Sequence, residues 1–243
     1  MKKLILIFLF IVPVVASAAG AGVSLKDARV DLSDRESLQR GGKLFVNYCL
    51  SCHSASYMRF NGMARDLGIP EDVMLENMVF TTDKIGNNMK VAMRPSDAKK
   101  WLGVAPPDLS VIARSRGPNW IYTFLDSYYA DSSKATGVNN LVFKDTAMPH
   151  VLLELQGLQK PVYDDHHGDE SSKVISDLTL ATPGKMSESE FRTARRDLVN
   201  FMVYMGEPAK LVRKDIGFWV IIFLLVLLVP AYLLKKEYWK DVR

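Results

Sequence analysis

Cys49-Leu50-Ser51-Cys52-His53 is the stretch on which the reading of this chain turns. The pattern is C-x-x-C-H, the attachment sequence of a c-type haem. Each thiol can add to one vinyl group of the macrocycle, and the adjoining imidazole then comes up beneath the iron as an axial ligand. C-x-x-C alone also fits a thioredoxin-type redox pair or half of a zinc site. The redox pair needs a βαβ unit around it, and no such pattern surrounds the motif. A zinc site usually draws more cysteines, but the chain has only 2, both inside the motif. His150, His166 and His167 lack zinc-finger spacing. The immediate His53 decides for haem.

Working outward, the two ends describe an exported and anchored protein. Lys2 and Lys3 open the chain, an apolar run from Leu4 to Val15 follows, and Ala16-Ser17-Ala18 matches a small-x-small cleavage site. This predicts a signal peptide over 1–18 and a mature start near Ala19. Ile216 to Leu234 contains no charged residue. At about 1.5 Å per residue it can cross a hydrocarbon core of roughly 30 Å in contact with membrane lipid. Trp219, Tyr232, Tyr238 and Trp239 lie towards its ends, as interfacial aromatics do. Basic residues flank the span on both sides, so charge alone leaves its orientation open. The export signal breaks the tie. The expected layout is a periplasmic haem domain over 19–212, a transmembrane anchor over 213–236 and a cytoplasmic tail over 237–243, in a bacterial inner membrane. The formal net charge of +4 includes both basic ends and says little about the domain surface. The basic residues form no long run interleaved with aromatics, which excludes a nucleic-acid partner.

Within the domain the expected fold is mainly α. Leu38, Gly41, Phe45 and Tyr48 fall on one face of a helix running from Ser37 into the motif. Ser187-Glu188-Ser189-Glu190 is a capping box that opens a last soluble helix with Phe191, Leu198, Phe201, Met202 and Met205 on its apolar stripe. The first of these two helices resembles the first helix of the cytochrome c fold, where a glycine lets another helix approach closely; that implies the last soluble helix against Gly41, with Phe201 or Tyr204 at the contact. Shorter helices are predicted over Pro70–Phe80, over Asp97–Leu102 with Ser96 as cap, and from Pro118 through Trp120, Phe124 and Tyr128. No strand-rich stretch stands out, and polar Lys160–Lys185 reads as a loop or small irregular insert.

A six-coordinate electron carrier needs a ligand opposite His53, and a methionine thioether raises the potential where a second histidine lowers it. Met58 and Met63 follow the motif too closely to reach the far face. Met74, Met78, Met202 and Met205 read as helix packing. Met148, in the irregular Thr146-Ala147-Met148-Pro149, is the best placed, and His150 is its rival.

Taken together, these stretches resemble the cytochrome c1 family, the membrane-anchored haem subunits of quinol–cytochrome c reductase (cytochrome bc1) complexes. The resemblance rests on Arg40-Gly41 and Phe45 to Ser54, on Ala105-Pro106-Pro107-Asp108-Leu109-Ser110 with Ile112, Arg114 and Arg116, and on Asn119 to Tyr129. Ala147-Met148-Pro149, the capping box and the C-terminal span follow in the family's order and extend the match over most of the mature chain. It implies a cytochrome c-like haem domain with one C-terminal transmembrane helix, carrying one covalent haem c on Cys49 and Cys52. It also implies Met148 as distal ligand to the iron held by His53, and Arg116 near a haem propionate. A carbonyl at Pro106 or Pro107 can then accept the His53 Nδ1 proton and fix the ring. The implied function is one-electron transfer from the Rieske iron–sulfur subunit to a soluble or membrane-bound cytochrome c, beside a cytochrome b subunit, with no bond made or broken on this chain. The acidic stretch Asp164, Asp165, Asp169 and Glu170 matches an acidic region of the family that can steer a basic partner, and it is equally readable as a solvated loop. Pro149-His150 departs from the Ala-Pro-Pro of many relatives, and the middle of the domain is shorter than in mitochondrial members. Two other readings stand beside this one: a free-standing membrane-tethered cytochrome feeding an oxidase, and a haem enzyme or sensor with an open iron position.

Overall fold

The computed structural model describes residues 23–91, 93–164 and 174–241. The predicted signal peptide and most of the acidic stretch, Asp165 to Glu170, lie outside the described residues. In chain order the elements are α1 (Arg35–Tyr48), β1 (Ala55–Arg59), α2 (Phe60–Leu67), α3 (Glu71–Met78), β2 (Asn88–Met89), α4 (Pro95–Leu102), α5 (Ile112–Ser115) and α6 (Pro118–Asp126). They continue through β3 (Tyr128–Ala130), β4 (Val138–Asn140), α7 (Leu153–Gln156), β5 (Gly157–Asp164), β6 (Val174–Pro183), α8 (Glu188–Gly206), a 3-10 turn (Pro208–Leu211) and α9 (Arg213–Tyr238). The helical frame is as the sequence led us to expect, and the strands form three antiparallel pairs: β1 with β2, β3 with β4, and β5 with β6.

The frame is the crossing of α1 and α8. Asp34 caps α1 by accepting from the Ser37 amide at 2.8 Å. Ser187 and Glu190 cap α8 reciprocally, the capping box read from the sequence. At the crossing, a Cβ on Gly41 would lie 1.9 Å from the Asp197 carbonyl oxygen and 2.8 Å from Phe201 Cβ, so only hydrogen fits. Phe201, rather than Tyr204, is therefore the aromatic at this glycine, and its ring also lies 5.4 Å from that of Phe45. Tyr204 turns away and donates to Asp66 at 2.9 Å. The close approach buries Asp197, which accepts from Ser37 Oγ and Arg40 Nε at 2.6 Å each. A carboxylate taken out of water needs such partners to remain charged. An extended N-terminal strand of chain straps the back of the frame: the amides of Lys26, Ala28 and Asp31 donate to Thr123, Asn119 and Asn200.

Four expectations are corrected. Lys160–Lys185 is not simply a loop; β5 and β6 pair from Gly157↔Pro183 to Asp164↔Val174. Most side chains on both strands face solvent, so the apolar alternation that betrays a half-buried strand is missing. The absence of strands fails for the same reason elsewhere: β2, β3 and β4 are only two or three residues long. Ser96 does not cap α4, because Pro95 already occupies its first turn and Arg94 is the flanking residue. The helix from Pro118 stops at Asp126, and Tyr128 begins β3.

Behind the domain, α9 runs for 26 residues with its large apolar side chains exposed from Ile216 to Leu234. At about 1.5 Å per residue it reaches across a bilayer core. Pro230 lies within it, where neighbouring groups can satisfy the freed carbonyl. It is the single membrane anchor among the described residues.

Candidate haem site

The C-x-x-C-H motif begins where α1 stops. The Cys49 amide still donates to Phe45 at 2.9 Å, and then the Cys52 and His53 amides both return to the Cys49 carbonyl, at 3.1 and 2.8 Å. This turn stacks the motif into one compact loop off a rigid helix. Cys49 is buried and Cys52 half-buried, and both thiols are free. Burial, helped by the neighbouring Cys52, pushes the Cys49 thiol up to about 12. A redox-active pair needs the opposite, a thiol lowered towards neutrality.

A second stretch is laid against the motif and fixes its imidazole. Residues Pro107 to Ser110 run beside His53 to Tyr57 and are joined to them rung by rung. The Leu109 amide donates to the Ser54 carbonyl at 2.8 Å, the Ser56 amide to Asp108 Oδ2 at 3.0 Å, and the Tyr57 amide to Ser110 Oγ at 3.1 Å. Asp108 also accepts from the Ser110 amide at 2.8 Å. Burial raises the Asp108 carboxyl, but these bonds from Ser110 and Ser56 outweigh it and hold the group below its ordinary value. The register brings the Pro107 carbonyl to 2.7 Å from His53 Nδ1. A carbonyl can only accept, so the proton sits on Nδ1 and the lone pair on Nε2. Burial lowers the His53 pKa, against the Pro107 carbonyl and Asp108, and so favours the neutral ring that binds a metal. Two free thiols and an oriented, neutral imidazole on one turn fit a covalently attached haem, and the Pro107 carbonyl is the outer partner such a ligand needs. Pro-Pro-Asp is not a helix start; the helix begins four residues later at Ile112.

Met148 lies in the irregular stretch between β4 and α7, half-buried against the core. Met58, Met63, Met74, Met78, Met89, Met202 and Met205 are buried core residues. His150 is buried too, its ring stacked on Tyr128 with centroids 4.8 Å apart. Burial lowers its pKa to about 4 in spite of the Gln156 side chain and the Gly157 backbone. Its Nε2 is buried without a hydrogen-bond partner among the described residues, so the ring is placed by its stacking on Tyr128.

Arg116 follows α5, is exposed, and carries its guanidinium 5.1 Å from the centre of the Trp120 ring. Trp120 in turn stacks on Phe124 at 5.1 Å. Arg116 makes no ion pair among the described residues, whereas Arg195, which the sequence did not single out, is buried against Asp126 and stacks 4.0 Å above Tyr122. Sequence reasoning also missed the residues that hold the Met148 stretch. Asn139 and Asn140 are almost fully buried, and Asn140 Oδ1 accepts from the Val142 and Phe143 amides at 2.9 and 3.1 Å. Paired asparagines at the end of a short apolar run were the available signal, but their commonest role is a surface turn.

A helical frame built to receive a covalent c-type haem, followed by one apolar anchor, defines a class of membrane-bound cytochromes. The sequence model of the Cytochrome C1 family matches residues 26–242. The chain is 47% identical over 243 residues to cytochrome c1 of Allochromatium vinosum, covering 100% of each. It is 46% identical over 242 residues to a protein of Nitrosomonas europaea named ammonia monooxygenase gamma subunit, covering 100% of this chain and 99% of that one. Cytochrome c1 of Rhodospirillum rubrum is 27% identical over 245 residues, covering 86% and 83%. The chain belongs to the cytochrome c1 family. It carries covalently bound c-type haem and is a haem electron carrier of the cytochrome bc1 complex.

Proposed function

We propose that this protein accepts one electron from the Rieske iron–sulfur subunit and passes it to a cytochrome c, beside a cytochrome b subunit. Its haem domain, residues 19–212, then lies in the periplasm once a signal peptide over 1–18 is removed. The anchor over 213–236 leaves the tail 237–243 in the cytoplasm. The observation that carries this reading is the ladder between His53–Tyr57 and Pro107–Ser110, which orients one imidazole for iron and holds its proton on Nδ1.

When bound, the haem supplies one-electron exchange at its iron. Cys49 and Cys52 would hold it by thioether bonds, and His53 Nε2 and Met148 Sδ would bind its iron. The Pro107 carbonyl keeps the His53 ring from rotating and increases its basicity. Arg116, exposed beside Trp120, offers a cation to a propionate. His53, on a turn directly after α1 and held by the bonded ladder, moves little when charge changes, which favours fast electron exchange.

The test is an optical spectrum of the protein purified from membranes, with and without Met148→Leu. A low-spin c-type spectrum that becomes high-spin in the variant, with cytochrome b co-purifying, supports the reading. An unchanged low-spin spectrum hands the distal position to His150. Purification free of any cytochrome b points instead to a free-standing tethered cytochrome.

A further inference from the structure

Met148 is joined to the domain through both of its backbone polar groups. Its amide donates to the Thr146 hydroxyl at 3.3 Å, and its carbonyl accepts from the Tyr128 hydroxyl at 3.2 Å. Thr146 and Tyr128 are both buried, Tyr128 almost completely. Burial keeps the Tyr128 phenol well above its ordinary pKa.

Tyr128 is itself fixed from four directions. It pairs with Asn140 in the β3–β4 ladder. Its carbonyl accepts from the Gln159 side chain at 2.9 Å. Phe124 meets its ring edge-on at 5.4 Å, and His150 covers the ring in parallel at 4.8 Å with planes 3° apart. One rigid side chain therefore grips both residues that flank Pro149, Met148 by its carbonyl and His150 by its ring.

We propose that Tyr128 and Thr146 are positioning residues for Met148, clamping its backbone from both sides so that its thioether is held in place towards the iron. The proposal rests on the reading of Met148 as distal ligand. A methionine is a weak ligand, and one on a free loop is easily replaced by an added base. With both backbone groups tied, the loop no longer has to lose conformational freedom when the thioether binds, and the bound form is favoured by preorganisation.

The experiment uses the full-length holoprotein purified from membranes in oxidised form. Imidazole is titrated against wild type, Tyr128→Phe and Thr146→Val, following the methionine–iron charge-transfer band. Tyr128→Phe removes only the hydroxyl, and Thr146→Val replaces it with a methyl of similar size. The expected result is half-displacement at roughly tenfold lower imidazole in each, the worth of about one buried hydrogen bond. Far-UV circular dichroism and the covalent haem content are expected to match wild type. A variant that matches wild-type imidazole resistance overturns the assignment of its residue. If one variant fails to fold, the other still reports on the clamp. Met148→Leu separates the two levels of argument. If that variant keeps the band and its low-spin spectrum, the ligand reading falls and the clamp falls with it; if it loses the band while the hydroxyl variants resist imidazole as wild type does, only the clamp falls.

Discussion

The two stretches proposed to supply the iron ligands are held by different means. On the His53 side the imidazole directly follows the second cysteine of the motif, and a second stretch of backbone zips onto it through bonds of 2.7 to 3.1 Å. On the Met148 side there is no ladder. The stretch from Leu141 to His150 is irregular and hangs from buried side chains: Asn139 and Asn140 just before it, Thr146 within it, and Tyr128 from β3. Backbone ladders tolerate side-chain change because any residue offers an amide and a carbonyl. A loop suspended from side chains depends on the identity of each one. The first side should yield mainly to mutations that break the helical frame, and the second to single polar substitutions.

The largest effect is expected where that frame is tightest. Gly41→Ala places a methyl 1.9 Å from the Asp197 carbonyl, a separation no rotamer relieves because the obstacle is backbone. Helices α1 and α8 must part, and with them go the Phe45–Phe201 contact and the bonds of Asp197. The cost is about 3 kcal/mol or more. The expected outcome is a Tm lowered by roughly 10 °C, or no folded haem protein, in thermal melts followed at 222 nm. A variant that melts with wild type would show that the frame is looser than its packing implies.

On the Met148 side, Asn140→Ala is expected to cost less in stability and more in ligand geometry. Its side chain bonds the buried Phe124 carbonyl at 2.8 Å as well as the amides of half-buried Val142 and exposed Phe143. Leaving the buried carbonyl short of its partner costs about 1 to 2 kcal/mol. The methionine–iron charge-transfer band should weaken at temperatures where the far-UV signal is still native. Loss of both signals together would mean that the loop and the frame are one cooperative unit, and the contrast between the two sides would disappear.

This contrast also explains what could be read from the sequence. C-x-x-C-H and the Ser187 capping box are local patterns, where the residues that interact lie within a turn of each other, whereas the approach of α8 to Gly41 joins distant parts of the chain and was legible as a resemblance. Pro106-Pro107-Asp108 drew attention as a resemblance, and the physical reason for it, rungs to Ser54, Ser56 and Tyr57, spans more than 50 residues of chain and has no periodicity to announce it. Tyr128 lies 20 residues before Met148 and read as the tail of a helix. The β5–β6 hairpin was invisible for a different reason. Its strands shift register between Leu158 and Gln159 and between Val162 and Tyr163, and face solvent on most sides, so neither face keeps an apolar row.

The smallest expected effect tests the outer edge of the Met148 side. The Ser133 hydroxyl, and then the Asn139 side-chain amide, hold the Asp131 carboxyl below its ordinary value. Asn139 Nδ2 donates to Asp131 Oδ2 at 2.9 Å while Asn139 Oδ1 receives the Asp145 amide, so Asp131 braces the residue that begins the loop. A carboxyl whose pKa is depressed by folding stabilises the fold above its unfolded value, near 4, and loses that contribution as pH falls through the folded value. Asp131→Asn should therefore ease imidazole displacement at pH 7 by about twofold, the scale of an exposed charged contact. The gap between variant and wild type should close as pH falls below about 4, because the wild-type carboxyl is then protonated too. A gap that stays constant across the titration would separate Asp131 from the hold on Met148 and leave Asn139 supported by its backbone contacts alone.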